Sequence, residues 1–216
     1  MPNAEVAAVY RPADGEVGVG GDFYDVFAVT GDRVALVVGD VVGHDIDAAA
    51  TMGRVRNAIR AYALQNPNPD YVLGQLNRLV HVDPELALTT AFYGVYTPPT
   101  GLLEYANAGH PHPVLITSTT RPAYVPHQHG PILGAVPDHA YRTHHLTLAR
   151  EDLVLCFTDG LVERRDRDLY EGTATLCALL ATPHLPRHPH HLAPWVIGSM
   201  EPQGDDDICV LALRRT

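Results

Sequence analysis

Short apolar runs rich in β-branched residues recur along this chain, and only two pairs of helical stretches interrupt them. The runs predict strands over residues 5–10, 23–29, 34–42, 89–97, 102–108, 113–117, 140–148, 152–158 and 207–213. Three- and four-residue spacing of apolar side chains predicts helices over 46–65, 69–82, 172–181 and 191–200. Because strands and helices do not alternate one for one, the pattern disfavours a doubly wound parallel sheet. It favours an α+β fold in which helix pairs flank two antiparallel sheets.

Local signals mark the boundaries of these elements. Asp45 is the expected N-cap of the helix over 46–65, and the run Asn66–Pro69 separates that helix from the next one. The segment 183–194 is rich in His and Pro, and we expect a surface loop there. Since no linker or internal repeat divides the chain, we expect a single domain over 1–216.

Charge and composition exclude several classes of function. The net charge of −10 speaks against nucleic acid or an anionic membrane as the main partner. All 15 cationic side chains are arginines, so chemistry that needs a lysine, such as a Walker A loop or a Schiff base, is excluded. No apolar run is long enough for a membrane helix, and Met1–Tyr10 has no signal-peptide pattern. The 3 widely spaced cysteines fit a reducing, cytoplasmic location.

Acidic residues stand where predicted strands begin or end. Asp22 and the triplet Asp205–Asp207 each open a strand, whereas Asp40 and Asp159 each lie where one ends. Taken singly, each position has a structural explanation. These explanations are a Gly-Gly-Asp turn, an Asx turn at Asp40, a hairpin turn at Asp159, and charges that guard a strand.

Taken together, these carboxylates indicate a metal site. Strand ends can converge, and carboxylates brought within ~4–6 Å of one another repel unless a cation lies between them. A site made of aspartate oxygens, without regularly spaced Cys or His ligands, suits the hard ions Mg²⁺ or Mn²⁺. Two such ions lower the pKa of a bridging water and bind phosphoryl oxygens, which makes phosphate ester hydrolysis the expected chemistry.

Five sequence blocks then occur in order along nearly the whole chain. They are Gly20–Asp25 (GGDFYD), Gly39–His44 (GDVVGH), Asn107–Pro111 (NAGHP), Thr158–Glu163 (TDGLVE) and Asp206–Cys209 (DDIC). This set strongly resembles the metal-dependent protein phosphatase (PPM, type 2C) superfamily. Within it, the blocks look like those of the bacterial SpoIIE/RsbU-type phosphatases, whose pattern is GGDxYD, GDVxGHG, NAGHxP, TDGxxE and DDxT.

The resemblance implies an αββα sandwich with two metal ions at one edge of the two sheets. It implies that Asp22, Asp40, Asp159 and Asp206 are the catalytic metal ligands, with Asp40 as the bridge. The main-chain carbonyl of Val41 would be a further ligand. The acidic triplet leaves the register at Asp206 open by one residue.

Two positions depart from the family pattern. The third residue of the family's GHG is Asp45 here, and we interpret it as a helix cap. The family's DDxT threonine is Cys209, for which a small buried filler is the simplest role. None of the four ligand aspartates is replaced.

Other polar residues keep more than one interpretation. Arg11, at the end of the first strand, is our candidate for holding the substrate phosphate. His44 is either a helix-start residue or a functional one, and His110 is expected to shape the surroundings of the site. The run Arg164–Asp168 is either solvated or a contact for an acidic protein partner. The histidines near His188 are either a solvated face or a weak surface metal site.

The expected function is that of a serine/threonine phosphoprotein phosphatase that depends on two Mn²⁺ or Mg²⁺ ions. By resemblance, its substrate is a phosphorylated anti-sigma factor antagonist, a STAS-domain protein, in a partner-switching pathway. A regulatory partner or a homodimer would fit the same pathway. One alternative is a non-catalytic binding module with a phosphatase fold, and another is an enzyme for small phosphate esters.

Overall fold

The computed structural model describes residues 3–13, 20–43, 46–83, 85–86, 88–125, 130–204 and 206–216. The strands are β1 (Ala4–Arg11), β2 (Phe23–Ala28), β3 (Val34–Val41), β4 (Thr89–Thr97), β5 (Leu102–Ala108), β6 (Val114–Ile116), β7 (Ala123–Tyr124), β8 (His144–Thr147), β9 (Leu153–Phe157) and β10 (Ile208–Arg215). The helices are α1 (Ile46–Gln65), α2 (Pro69–Val82), α3 (Leu169–Leu180) and α4 (Pro189–Met200), and a 3₁₀ turn spans Asp159–Leu161.

The chain contacts form two compact units. The terminal unit comprises residues 1–18, 111–126 and 148–216, and the central unit comprises residues 19–110 and 127–147. Each unit contains one 5-stranded sheet. The single domain over 1–216 stays a prediction.

The central unit has the strand order β2-β3-β4-β5-β8, and every neighbouring pair is antiparallel. Strand β3 is buried along its length except at Asp40, which is half-buried. Apolar residues of α1 and α2, such as Ile59 and Leu76, join β3 and β4 residues in one core. Helix α2 begins with Pro69 at its first turn, where the missing N–H of proline has no helical partner to lose.

An ion pair between the buried carboxylate of Asp25 and the exposed guanidinium of Arg60 links β2 to α1 in the central unit. Arg60 donates from Nε and Nη2 to the two carboxylate oxygens of Asp25, at 2.5 and 2.6 Å. The Asp25 side chain is buried, and the guanidinium carbon of Arg60 lies 4.8 Å from the centre of the Phe27 ring. The hydrogen bond to Asp25 raises the pKa of Arg60. Removing Arg60 would leave the buried Asp25 carboxylate without its charged partner, whereas the exposed Arg60 would stay solvated if Asp25 were removed.

The terminal unit has the strand order β1-β10-β9-β6-β7, again antiparallel throughout. Its core joins β9 and β10 residues to α3 and α4, with Phe157, Leu176 and Val196 fully buried. Asp168 caps α3 by accepting a hydrogen bond from the N–H of Glu171 at 2.8 Å. Cys156, Cys177 and Cys209 all lie in the described part of the chain and form no disulfide, as expected.

The predicted α+β class is confirmed. The first and last residues of α1 and of α2 match the predicted helices over 46–65 and 69–82. The predicted loop over 183–194 is wrong from Pro189 onward, because this proline starts α4. The short strand β7 was not predicted, and the strand predicted over 140–148 is confined to β8. The predicted N-cap Asp45 lies outside the described residues. Within the described part of the chain, no helix is long and apolar enough to cross a membrane.

Two helical glycines of the terminal unit predict opposite effects of the same substitution. A Cβ on Gly172 in α3 would lie 2.0 Å from the carbonyl oxygen of Val162, whereas a Cβ on Gly198 in α4 meets nothing within 4 Å. We therefore expect Gly172→Ala to destabilise the fold by about 1–3 kcal/mol, since α3 must shift. Gly198→Ala should stabilise it by about 0.5–1 kcal/mol through helix propensity. Urea unfolding followed by circular dichroism measures both, and equal stability of the two variants would contradict this packing.

Candidate metal and phosphate site

In the central unit, the segment that precedes β2 lies directly on the end of β3. The N–H of Val41 donates to the carbonyl oxygen of Gly21 at 3.2 Å. A Cβ on Gly21 would lie 2.1 Å from the carbonyl oxygen of Val41 and 3.0 Å from Oδ1 of Asp40. Only a residue without a side chain permits this approach.

This approach brings Asp22 and Asp40 together, as predicted. Each offers a carboxylate oxygen within 4.8 Å of the other. Asp22 is only 4% exposed, whereas Asp40 is half-buried. Two carboxylates at this separation repel each other, and the repulsion grows with burial. The pair, with the Val41 carbonyl oxygen beside it, therefore has the donor chemistry that a hard divalent cation prefers.

A hydrogen-bonded network supports the strand opposite Asp40. Thr90 is the β4 residue paired with Asp40, and its Oγ1 lies 2.8 Å from Nδ1 of His110. The backbone of His110 is held by Asn107, which donates from Nδ2 to its carbonyl oxygen at 2.9 Å and accepts from its N–H at 2.8 Å. His110 is 1% exposed and lies in the core, and its expected role in shaping the surroundings of the site stays a prediction. The NAGHP block pointed to Asn107 and His110, whereas nothing in the sequence singled out Thr90.

In the terminal unit, the turn after β9 packs on the start of β10. Asp159 begins the 3₁₀ turn, so the hairpin considered for this position is wrong. A Cβ on Gly160 would lie 2.2 Å from the carbonyl oxygen of Asp207 and 3.2 Å from Cβ of Asp206. The N–H of Gly160 donates to Oδ1 of Asp159 at 3.0 Å. Asp159 and Asp206 thus lie on segments in direct contact.

Burial differs among the acidic residues of the terminal unit. Desolvation raises the pKa of the Asp159 carboxyl, and the hydrogen bond from Gly160 opposes that shift. Asp206 is exposed, whereas Asp207 is buried and accepts a hydrogen bond from the N–H of Ala13 at 2.9 Å. One oxygen of Asp207 is therefore committed to the chain after β1. Asp205 lies outside the described residues.

The remaining candidates have simpler positions. Arg11 is half-buried at the end of β1, opposite Ile208, and so lies at the same end of this sheet as Asp207. The Asx turn considered at Asp40 is wrong, because Asp40 lies within β3. His44 lies outside the described residues, and His188 is exposed, as expected for a solvated face. The metal-ligand set Asp22, Asp40, Val41, Asp159 and Asp206 and the phosphate role of Arg11 stay predictions.

The fold is that of the type 2C phosphatases. The chain superposes on the RsbU and RsbW domains of Rv1364c from Mycobacterium tuberculosis with a TM-score of 0.88 and 31% identity, over 98% of this chain and 60% of that one. It also superposes on the PP2C phosphatase domain of SpoIIE from Bacillus subtilis, solved with a fragment of its regulatory domain. That TM-score is 0.83 at 15% identity, over 98% of this chain and 61% of the other, so this likeness concerns the fold alone.

Sequence comparison places the chain in a particular branch. The family model described as Stage II sporulation protein E (SpoIIE) matches residues 30–216, and the chain belongs to this family. The chain is 27% identical over 162 residues to the phosphoserine phosphatase RsbU of Bacillus subtilis (strain 168), covering 74% of this chain and 47% of RsbU. It is 27% identical over 190 residues to protein IcfG of Synechocystis sp., covering 74% of this chain and 29% of IcfG. The chain thus spans less than half the length of these two curated relatives. The predicted membership in the SpoIIE/RsbU branch is confirmed.

Removing the Asn107 side chain should destabilise the segment around His110, whose ring contacts Thr90, the β4 residue paired with Asp40. Asn107→Ala leaves the buried N–H and carbonyl oxygen of His110 without these partners, and we expect a loss of roughly 2–5 kcal/mol in the free energy of unfolding. Asn66→Ala is the matched control, because Asn66 accepts one exposed hydrogen bond from the N–H of Asn68. Its loss should stay below about 1 kcal/mol. Chemical unfolding of both variants tests this, and an Asn107→Ala protein as stable as the control would refute the assigned role.

Proposed function

We propose that this chain is a metal-dependent serine/threonine phosphoprotein phosphatase. Two divalent cations, Mn²⁺ or Mg²⁺, would be held by Asp22, Asp40, Asp159 and Asp206, with the carbonyl oxygen of Val41. The observation that carries the proposal is the enforced proximity of Asp22 and Asp40 within the central unit. Membership in the SpoIIE family and similarity to RsbU, a phosphoserine phosphatase, support it.

The donor set fits hard cations. Every proposed ligand is an oxygen, from a carboxylate or a main-chain carbonyl, which is the set that Mg²⁺ and Mn²⁺ favour over Zn²⁺ or copper. Asp22 is buried, and desolvation by burial raises the pKa of the Asp159 carboxyl. A cation would stabilise their charged forms.

When bound, the cations would supply Lewis acidity, polarising the phosphoryl oxygens and lowering the pKa of a water molecule for in-line attack on phosphorus. The chain's own residues position the reactants. The contact of Gly21 with β3 fixes the separation of Asp22 and Asp40. Arg11 would hold the phosphate by charge-assisted hydrogen bonds. No side chain in this scheme forms a covalent bond to phosphorus.

The proposed substrate is a phosphoserine or phosphothreonine of a STAS-domain anti-sigma factor antagonist, in a cytoplasmic partner-switching pathway. The resemblance to the SpoIIE/RsbU branch carries this choice. The chain is also 26% identical over 148 residues to the phosphoserine phosphatase RsbP of Bacillus subtilis, covering 66% of this chain and 36% of RsbP. A regulatory partner or a second copy of the chain would fit the same pathway.

Two alternatives predict different behaviour. A phosphatase-fold scaffold would act by occupying a partner and would not need Mn²⁺, and the presence of all four aspartates counts against it. An enzyme for small phosphate esters would turn over free metabolites and leave phosphoproteins intact.

Hydrolysis of p-nitrophenyl phosphate should depend on Mn²⁺ and stop in EDTA. Asp159→Asn should lower kcat/KM by at least about 100-fold, since loss of even an outer-shell partner of a metal ligand costs 10–100-fold. Asp32→Asn, at an exposed aspartate of the β2–β3 turn, is the matched control and should keep full activity. A phosphoserine peptide assayed in parallel separates a protein phosphatase from an enzyme for small esters.

Absence of hydrolysis at every Mn²⁺ concentration, for both substrates, would contradict the proposal and favour the scaffold. Equal activity of wild type and Asp159→Asn would instead remove Asp159 from the centre.

A further inference from the structure

Strand β2 of the central unit carries a carboxylate on its apolar face. Alternate residues of a strand share a face, and Phe23, Asp25 and Phe27 share the one that packs on α1. Phe23 belongs to the core of this unit, and Phe27 packs against that core. Asp25 stands between these two aromatic residues in the strand and is 7% exposed. Because a charge is costly to bury there, its presence calls for a reason beyond stability.

Arg60 of α1 binds this carboxylate through both of its oxygens. Arg60 donates from Nε to Oδ2 at 2.5 Å and from Nη2 to Oδ1 at 2.6 Å, and its guanidinium carbon lies 4.8 Å from the centre of the Phe27 ring. Oδ1 of Asp25 also accepts from the N–H of Val26 at 2.9 Å. The Arg60 side chain is 48% exposed, so its charge stays solvated. The pair therefore matches one position of β2 to one position of α1.

Strand β2 needs such a match because it is an edge strand. Among the described strands it is paired with β3 alone, in the register that sets Phe23 opposite Gly39. A slip of one residue along β3 would turn the apolar face of β2 toward solvent. A slip of two residues would keep that face, so the apolar pattern alone opposes it less. It would, however, move Asp25 into the place of a phenylalanine and away from Arg60.

The register of β2 decides where Asp22 lies. Asp22 directly precedes β2, and it offers a carboxylate oxygen within 4.8 Å of one from Asp40 on β3. Since a strand advances about 3.3 Å per residue, a slip of two residues moves Asp22 by about 7 Å. One cation cannot bridge carboxylates that far apart, because its bonds to oxygen are only about 2.0–2.6 Å long.

We propose that Asp25 and Arg60 are positioning residues of the metal centre, whose ion pair fixes the register of β2 and so holds Asp22 beside Asp40. The inference rests on the proposed function, which assigns Asp22 and Asp40 as metal ligands. The pair acts through the backbone of β2 and makes no bond to the cation. If the pair served stability alone, apolar side chains could replace it without loss of metal binding.

Isothermal titration calorimetry with Mn²⁺ on the full chain measures the effect. Arg60→Gln alters an exposed side chain and leaves the apolar core in place. It should weaken the affinity for Mn²⁺ by about tenfold, the smaller of the losses expected when an outer partner of a metal site is removed. Arg56→Gln, at an exposed arginine one turn earlier in α1, is the matched control and should bind like wild type.

A double variant with Asp25→Val and Arg60→Leu separates positioning from stability. Apolar replacement of a buried charge together with its partner often leaves stability unchanged or raises it, so the urea midpoint of this variant should equal or exceed that of wild type. Its affinity for Mn²⁺ should nevertheless stay about tenfold weaker than that of wild type, because apolar contacts do not specify a single register.

Two results would overturn the positioning role. One is equal Mn²⁺ affinity of Arg60→Gln and wild type. The other is an affinity that falls in Arg60→Gln and returns fully in the double variant. Either result, with Mn²⁺ bound by wild type, would leave the proposed metal centre intact and refute the positioning role alone. A wild-type protein that binds no Mn²⁺ would refute the proposed metal centre, and the positioning role with it.

Discussion

The contact between Gly21 and the end of β3 is the constraint on which the candidate site depends. No side chain fits there, because its Cβ would lie 2.1 Å from the carbonyl oxygen of Val41. The register of β2 on β3 sets a second such position, since a Cβ on Gly39 would lie 2.5 Å from the ring of Phe23. Because Gly21 and Gly39 have no side chains, Asp22 and Asp40 come close enough to repel each other. Their repulsion is the physical reason to expect a cation.

In the terminal unit, a glycine next to an aspartate again packs closely against a backbone carbonyl oxygen. Gly160 lies against the carbonyl oxygen of Asp207, so the turn that carries Asp159 rests on the start of β10. Thr158 strengthens this junction, because its Oγ1 accepts from the N–H of Cys209 at 2.8 Å. Cys209, where the family has a threonine, is fully buried and takes part through its backbone. Glycine beside aspartate therefore serves in both units to let acidic segments approach one another closely.

The periodic spacing of apolar residues predicted the long helices accurately. Both boundaries of α1 and α2 follow from apolar spacing and the prolines between them. The loop predicted over 183–194 rested on the high His and Pro content of that segment. It was wrong from Pro189 onward, because a proline in the first turn of a helix is compatible with the helix. The acidic pair Asp22 and Asp40 could be predicted because strand ends converge in a sheet. Thr90 could not, because its role depends on a register that only the paired strands reveal.

The most direct test of the central claim is the affinity of the protein for Mn²⁺, measured by isothermal titration calorimetry on wild type and on Gly21→Ala. A side chain at residue 21 must separate the Asp22 segment from β3, so the account predicts tight binding by wild type and affinity weaker by about 10–100-fold in the variant. Gly53→Ala, where a Cβ meets nothing within 4 Å, should bind like wild type. Equal affinity of Gly21→Ala and wild type, or no Mn²⁺ binding by wild type, would contradict the account.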